Sequence, residues 1–148
     1  MKKEFSGDFG IGMEFLALRP DEAEVKMLRR AHQGVGAKIN VIWSILIGRS
    51  NQELDIIKKK YFQRYSKDLS KVLASELHGN MERLIFSAIQ ADEEAFDPHY
   101  HTPEKVEEDA DYIHSKGQGR MGTDERALFK IFCASPKEHL ENVNKYVL

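Results

Sequence analysis

One cysteine, four prolines and a net charge of −2 among 148 residues set the first limits on this chain. Cys133 has no partner for an internal disulfide, so no covalent staple holds the fold together. Met1 to Glu14 lacks the unbroken apolar core of a secretory signal, and a reducing cytoplasm is the expected setting. The longest apolar stretch, Val41 to Gly48, is far short of the roughly 20 residues that a membrane-spanning helix needs. The chain therefore reads as soluble or peripheral. With a pI near 6.3 there is no basic field to hold nucleic acid or to adhere constitutively to anionic lipid. Any membrane binding must be conditional. Strict apolar–polar alternation is also missing, which excludes half-buried strands and leaves an all-α reading.

What is present suits a folded globule: 41% of residues are hydrophobic and 31% charged. Phe5 to Leu18 carries Phe9, Met13, Leu16 and Ala17 at helical spacing, weakened by Gly10 and Gly12, each costing roughly 1 kcal/mol of helix propensity. Asp21 to His32 follows Pro20 with Val25, Leu28 and Ala31 on one face. Ile39 to Ile47 is short and apolar, and Gly48 closes it. Ser50 is a good N-cap for Gln52 to Tyr65, where Leu54, Ile57, Tyr61 and Tyr65 line one face and Lys58, Lys59 and Lys60 turn outward to solvent. Asp68 to Leu77 and Met81 to Ala91 are helices parted by Gly79. Asp92 to Pro103 is acidic, then proline-bearing, and reads as a linker. Beyond it come Glu104 to Ser115, a glycine-bearing loop, Asp124 to Ala134, and a helix opening at Pro136.

The order repeats itself. Laying Gly36 over Gly122 sets Ile42 on Leu128, Trp43 on Phe129, Ile45 on Ile131, Leu46 on Phe132 and Leu54 on Leu140. A second, weaker register lays Gly7 over Gly79. Fixed-period repetition of this kind means stacked helical units rather than one irregular bundle.

The run Gly34-Val35-Gly36, then Gly48-Arg49-Ser50, Gln52, Ile57, Tyr61, Tyr65, Asp68-Leu69 and Ser75-Glu76-Leu77-His78-Gly79 resembles one complete annexin repeat. Met121-Gly122-Thr123-Asp124-Glu125 is similar to the GTDE loop of that family, and Ser6-Gly7-Asp8-Phe9 to the start of a repeat's last helix. The resemblance implies an all-α, five-helix repeat bundle in a right-handed superhelical arrangement, truncated relative to four repeats. Residues 1–19 would be the last helix of a preceding repeat, 20–91 a complete repeat resembling the second, 92–103 a linker, and 104–148 the first three helices of the next.

It further implies calcium-dependent binding to anionic phospholipid. Calcium takes six to eight oxygens at about 2.3–2.6 Å, and carbonyls serve when a loop can turn them inward. By match to the family's loop, the backbone carbonyls of His32, Gly34 and Gly36 would be ligands, with Glu76 as the closing carboxylate, 40 residues after Gly36. In the next repeat Gly117, Arg120 and Gly122 match carbonyl positions. The carboxylate closing that site would lie some 40 residues beyond Gly122, past Leu148, so this second site is expected to be incomplete. Val35 and Met121 sit at the loop tips, where they could enter lipid. Ala37 and Lys38 depart from the family's Thr–acid pair, removing a cap and adding a like charge near the cation. Ser135-Pro136 in place of Arg49-Ser50 should alter the third helix of the last repeat.

Other residues carry plainer readings. His99 and His101 with His114 suggest zinc only loosely, since no ligand spacing supports it, and linker histidines read as solvated. Trp43 and Cys133 read as core packing, and no catalytic motif is evident. The alternative function is a calcium-independent helical module docking on cytoskeletal or other protein partners.

Overall fold

The computed structural model describes residues 7–33, 38–76, 78–117 and 125–147, and among them every regular element is an α-helix. In chain order these are α1 (Gly7–Leu16), α2 (Pro20–His32), α3 (Ile39–Leu46), α4 (Asn51–Tyr65), α5 (Leu69–Glu76), α6 (Asn80–Ile89), α7 (Pro103–Gly117), α8 (Glu125–Ala134) and α9 (Lys137–Val147). Each helix read from periodicity is present, with ends shifted by a few residues.

Local chemistry explains the boundaries. Pro20 opens α2 at a position whose N–H would be unpaired in any case, and Arg29 and Arg30 complement the dipole at its far end. α4 has the strongest start: the Ser50 hydroxyl accepts the Glu53 N–H at 3.3 Å, while the Glu53 carboxylate accepts the Ser50 N–H at 2.9 Å. This reciprocal capping box satisfies two otherwise orphaned donors. Between α5 and α6, Gly79 adopts φ 81 and ψ −152, a region essentially closed to residues with a Cβ.

Helices α2 to α6 enclose the main core, built on Val25, Leu28, Ile42, Leu46, Leu54, Ile57, Tyr61, Leu69, Leu73, Ile85 and Ile89. The expected face of α4 is the buried one, and Trp43 packs, partly exposed, at the edge of the same cluster. Arg49 ties α4 back to α2, donating from Nη2 to Glu24 at 2.5 Å and from Nε to the Ile45 carbonyl at 3.1 Å. The triple lysine is not the solvated face that its sequence suggests. Lys58 donates to the Ile89 carbonyl at 3.1 Å, Lys60 pairs with Asp21 of α2, and only Lys59 is exposed. Long aliphatic stems let these charges reach neighbouring helices while staying wet at the tip.

A smaller cluster of Val106, Ala110 and Val143, with Ile113 against it, joins α7 and α9. The segment between α6 and α7 is irregular, as read, but well tied. The Asn51 side chain both donates to the Glu93 carbonyl and accepts its N–H, and the Glu94 N–H reaches the Ala134 carbonyl at 2.7 Å. One reading of this segment is corrected. His99 is exposed, but His101 is only 6% exposed, because its ring turns inward against Phe96 and His139.

The internal repetition is visible in the backbone. α3 begins at Ile39 and α8 at Glu125, α4 at Asn51 and α9 at Lys137, each pair 86 residues apart. Ser135-Pro136 therefore leaves the start of α9 in register, with the Pro136 carbonyl accepting the Leu140 N–H. In the other register Gly7 and Gly79 both have positive φ, 71 and 81. Burial differs sharply between the copies. Leu46 is 1% exposed while its counterpart Phe132 is 49% exposed, and α8 has no buried residue. α5 and α6 pack onto α4 and α3, and among the described residues no helices cover α7 to α9 in the same way.

Candidate functional site

The α2–α3 junction is where sequence placed the first loop. At its base the Lys38 N–H donates to the Ala31 carbonyl at 2.7 Å, so the chain returns from residues 34–37 onto the last turn of the helix it left. The ends of the loop are thus pinned together. His32, the last residue of α2, is buried, and its Nε2 lies 2.5 Å from the Tyr61 hydroxyl on α4. Burial pushes the Tyr61 phenol above its ordinary range, which keeps it a neutral hydroxyl partner for the imidazole. Tyr65 packs against Tyr61 at 5.0 Å, with the Arg29 guanidinium 5.2 Å over its ring. The end of α2, where the loop leaves it, is thus held against an aromatic pair on α4.

Lys38 is exposed and occupies the N-cap position of α3 without a side-chain cap hydrogen bond. Gly34, Val35, Gly36 and Ala37 lie outside the described residues. Glu76 is the last residue of α5, a helix held in place by buried Leu69 and Leu73. Gly79 then turns the chain into α6.

At the second loop Gly117 ends α7, and Arg120, Met121, Gly122 and Thr123 lie outside the described residues. Glu125, the acid of the GTDE run, has a role that sequence did not suggest. Its carboxylate accepts from Asn80 Nδ2 at 3.0 Å and pairs with Arg83 at 3.3 Å, bracing α8 against α6. Cys133 also sits at that contact, its Sγ 4.0 Å from the Leu84 carbonyl, and burial raises its thiol pKa. It is held as the less nucleophilic thiol, in keeping with its reading as packing.

The donor set expected from the sequence, backbone carbonyls with one carboxylate, is all hard oxygen, a chemistry that suits calcium and not a thiolate- or imidazole-seeking metal. No described helix is long and apolar enough to cross a membrane.

With this geometry in view, comparison with known proteins is informative. Residues 23–88, which run from α2 through α6, match the family model described as Annexin. Annexin C1 of Cryptococcus neoformans var. grubii is 32% identical over 145 residues, covering 97% of this chain and 30% of that protein. Annexin A7 of Homo sapiens is 34% identical over 133 residues, covering 90% of this chain and 27% of that protein. The structure of chicken annexin V superposes with a TM-score of 0.89 at 27% identity, over 99% of this chain and 46% of that one. The chain thus spans less than half the length of the relatives it matches.

Proposed function

This chain belongs to the annexin family, whose members are generally known for calcium-dependent phospholipid binding, and from that premise we propose that its α2–α3 loop docks on anionic membrane when calcium is present. The observation that carries the reading is the closed loop base, where Lys38 returns to Ala31 within the family-matched segment that also contains Glu76. The carbonyls of His32, Gly34 and Gly36, with the Glu76 carboxylate, would hold the ion. When bound, calcium supplies the positive charge that lets protein oxygens and lipid phosphate share one centre. Pinned loop ends lower the ordering cost of converging those carbonyls. Val35, by match to the family's loop, would enter the interface. In the second loop Gly117, Arg120 and Gly122 offer carbonyls, and Met121 the apolar tip.

Sedimentation with vesicles containing phosphatidylserine, with and without calcium, tests the proposal. The expected result is pelleting that needs calcium, weakens with salt and is lost in Glu76→Gln. Pelleting that ignores calcium, or none at all, would sink it. A second reading is favoured by Lys38, whose exposed charge at the α3 N-terminus opposes a cation nearby. On that reading the chain is a calcium-independent module that docks on protein partners, cytoskeletal ones among them, and Glu76→Gln would leave partner binding intact.

A further inference from the structure

Away from both loops, the linker and the last three helices bury a pair of histidines whose arrangement calls for a ligand. His139 of α9 is 1% exposed, and its Nε2 lies 2.8 Å from Oδ2 of Asp109 on α7, a carboxylate also paired with Lys105 at 2.9 Å. That bond places the imidazole proton on Nε2 and leaves the lone pair on Nδ1. His101 of the linker is 6% exposed, and its Nδ1 accepts the Asp97 N–H at 3.0 Å and lies 3.1 Å from the Asp97 carbonyl. Each ring is thus oriented through one nitrogen by an oxygen or backbone partner. The other nitrogen of each, His101 Nε2 and His139 Nδ1, is buried with no hydrogen-bond partner among the described residues.

The two rings lie 4.9 Å apart between centroids. Phe96 stacks on His101 at 5.3 Å and Tyr100 meets it edge-on at 5.0 Å, so rotation of the ring toward solvent is blocked. Two adjacent buried imidazoles, each with one nitrogen engaged and the other left over, are unusual, because buried polar atoms are nearly always paired. For His139 the pattern is the one metal-ligating histidines show, with the far nitrogen donating to a carboxylate, and His101 reaches it by turning its Nδ1 from the Asp97 N–H to the Asp97 carbonyl.

We propose that His101 and His139 form a two-histidine site for a borderline transition-metal dication, with zinc as the representative ion. Zinc bonds imidazole nitrogen at about 2.0–2.1 Å, so in the ion-bound state the two rings turn to bring these nitrogens within about 4 Å of each other. In the ion-bound state His101 takes the tautomer that donates from Nδ1 to the Asp97 carbonyl. No third His, Cys, Asp or Glu joins the pair among the described residues. The remaining positions fall to solvent in the adjoining cavity of about 550 Å³, which His101, His139, Asp109, Lys105 and Tyr100 help to line. The ligand set is nitrogen, unlike the oxygen set proposed for the loops, so calcium does not compete for it. Asp109 is a positioning residue that acts through His139. The site couples the linker to α9, and occupation would fasten the linker onto the last repeat.

The test is zinc titration of the full chain in calcium-free buffer against a chromophoric chelator, together with ¹⁵N spectra of the imidazoles. Expected are one zinc per chain, weakening of at least about tenfold in both His101→Gln and His139→Gln, and about 10–100-fold in Asp109→Asn. The paired change His99→Gln with His114→Gln should leave affinity unchanged. In the wild-type chain, zinc should shift His101 Nε2 and His139 Nδ1 and spare the other histidines. Should a variant lose its helical circular dichroism, the wild-type spectrum decides alone. Absence of binding, affinity that follows His99 and His114, or unmoved resonances at those two nitrogens under saturating zinc would overturn the proposal.

Discussion

Lys38 is the residue on which the calcium reading turns. It stands exposed at the N-terminus of α3, where the partial charge of unpaired N–H groups already disfavours a cation, and it follows a residue that cannot cap. Replacing Ala37→Thr and Lys38→Asp together supplies a hydroxyl cap and reverses the charge. The half-maximal calcium for vesicle binding should fall several-fold, on the order of 3–10 allowing for screening, which vesicle sedimentation across a calcium series would read. Unchanged calcium demand would mean that Lys38 lies too far from the ion to matter. Ser50 offers an independent check on stability. The Ser50 N–H and hydroxyl hold the Glu53 carboxyl below its ordinary value, so the folded state favours the ionised form. The stabilisation is complete above the unfolded value near 4.5 and is lost as pH falls through the lowered folded value. Ser50→Ala should cost about 1 kcal/mol at neutral pH. In thermal melts the gap between that variant and the wild-type chain should narrow between pH 5 and pH 3.

Among the helices, the turn from α5 into α6 is the most conformationally demanding. Gly79 has open space where a Cβ would go, so a clash is not the obstacle. The obstacle is its φ of 81 with ψ −152, which L-residues hardly populate. Gly79→Ala should destabilise the chain by about 1–3 kcal/mol in urea unfolding, with little change in the slope. Because Glu76 lies just before this turn, the same variant should also raise the calcium needed for vesicle binding. At the other end of α6, Ala91 sits at φ 61, a left-handed conformation that glycine accepts more readily. Ala91→Gly is expected to be neutral or mildly stabilising, the opposite sign from Gly79→Ala.

At the scale of the whole molecule, α2 to α6 share a well-covered core, while α7 to α9 share a smaller one. Leu46 and Phe132 occupy equivalent positions in the two copies, at 1% and 49% exposure. Leu46→Ala should therefore cost about 2–5 kcal/mol through the cavity it leaves. Phe132→Ala should cost about 1 kcal/mol, since only about half of its area leaves water on folding. Equal losses at the two positions, measured by urea unfolding, would show that something covers α8 in solution. The uncovered face also includes Phe129 and Leu128, which border a groove of about 940 Å³ against α3 and α4. An apolar dye such as ANS should bind the wild-type chain and bind Phe132→Ser less. A compact chain that binds no dye would count against an exposed face.

Periodicity, caps and glycine placement determined much of this protein before any coordinates. The nine helices of the described residues, the buried face of α4, the Ser50 cap and the 86-residue repeat follow from local preferences that act within a turn or two. The loop glycines and Glu76 were legible as a family pattern, although Gly34, Gly36 and Gly122 fall outside the described residues. Features that depend on side chains meeting across the fold were not legible. Lys58 and Lys60 read as a solvated run because no local rule says which neighbouring carbonyl or carboxylate lies within reach. His101 read as a linker histidine, and its neighbour His139, with the Asp109 that orients it, was invisible, because the two rings lie 38 positions apart and only the packing of α7 against α9 brings them to 4.9 Å. Sequence decides which groups each helix carries on which face. Tertiary packing decides which of those faces meet, and with it which buried polar atoms find a partner and which do not.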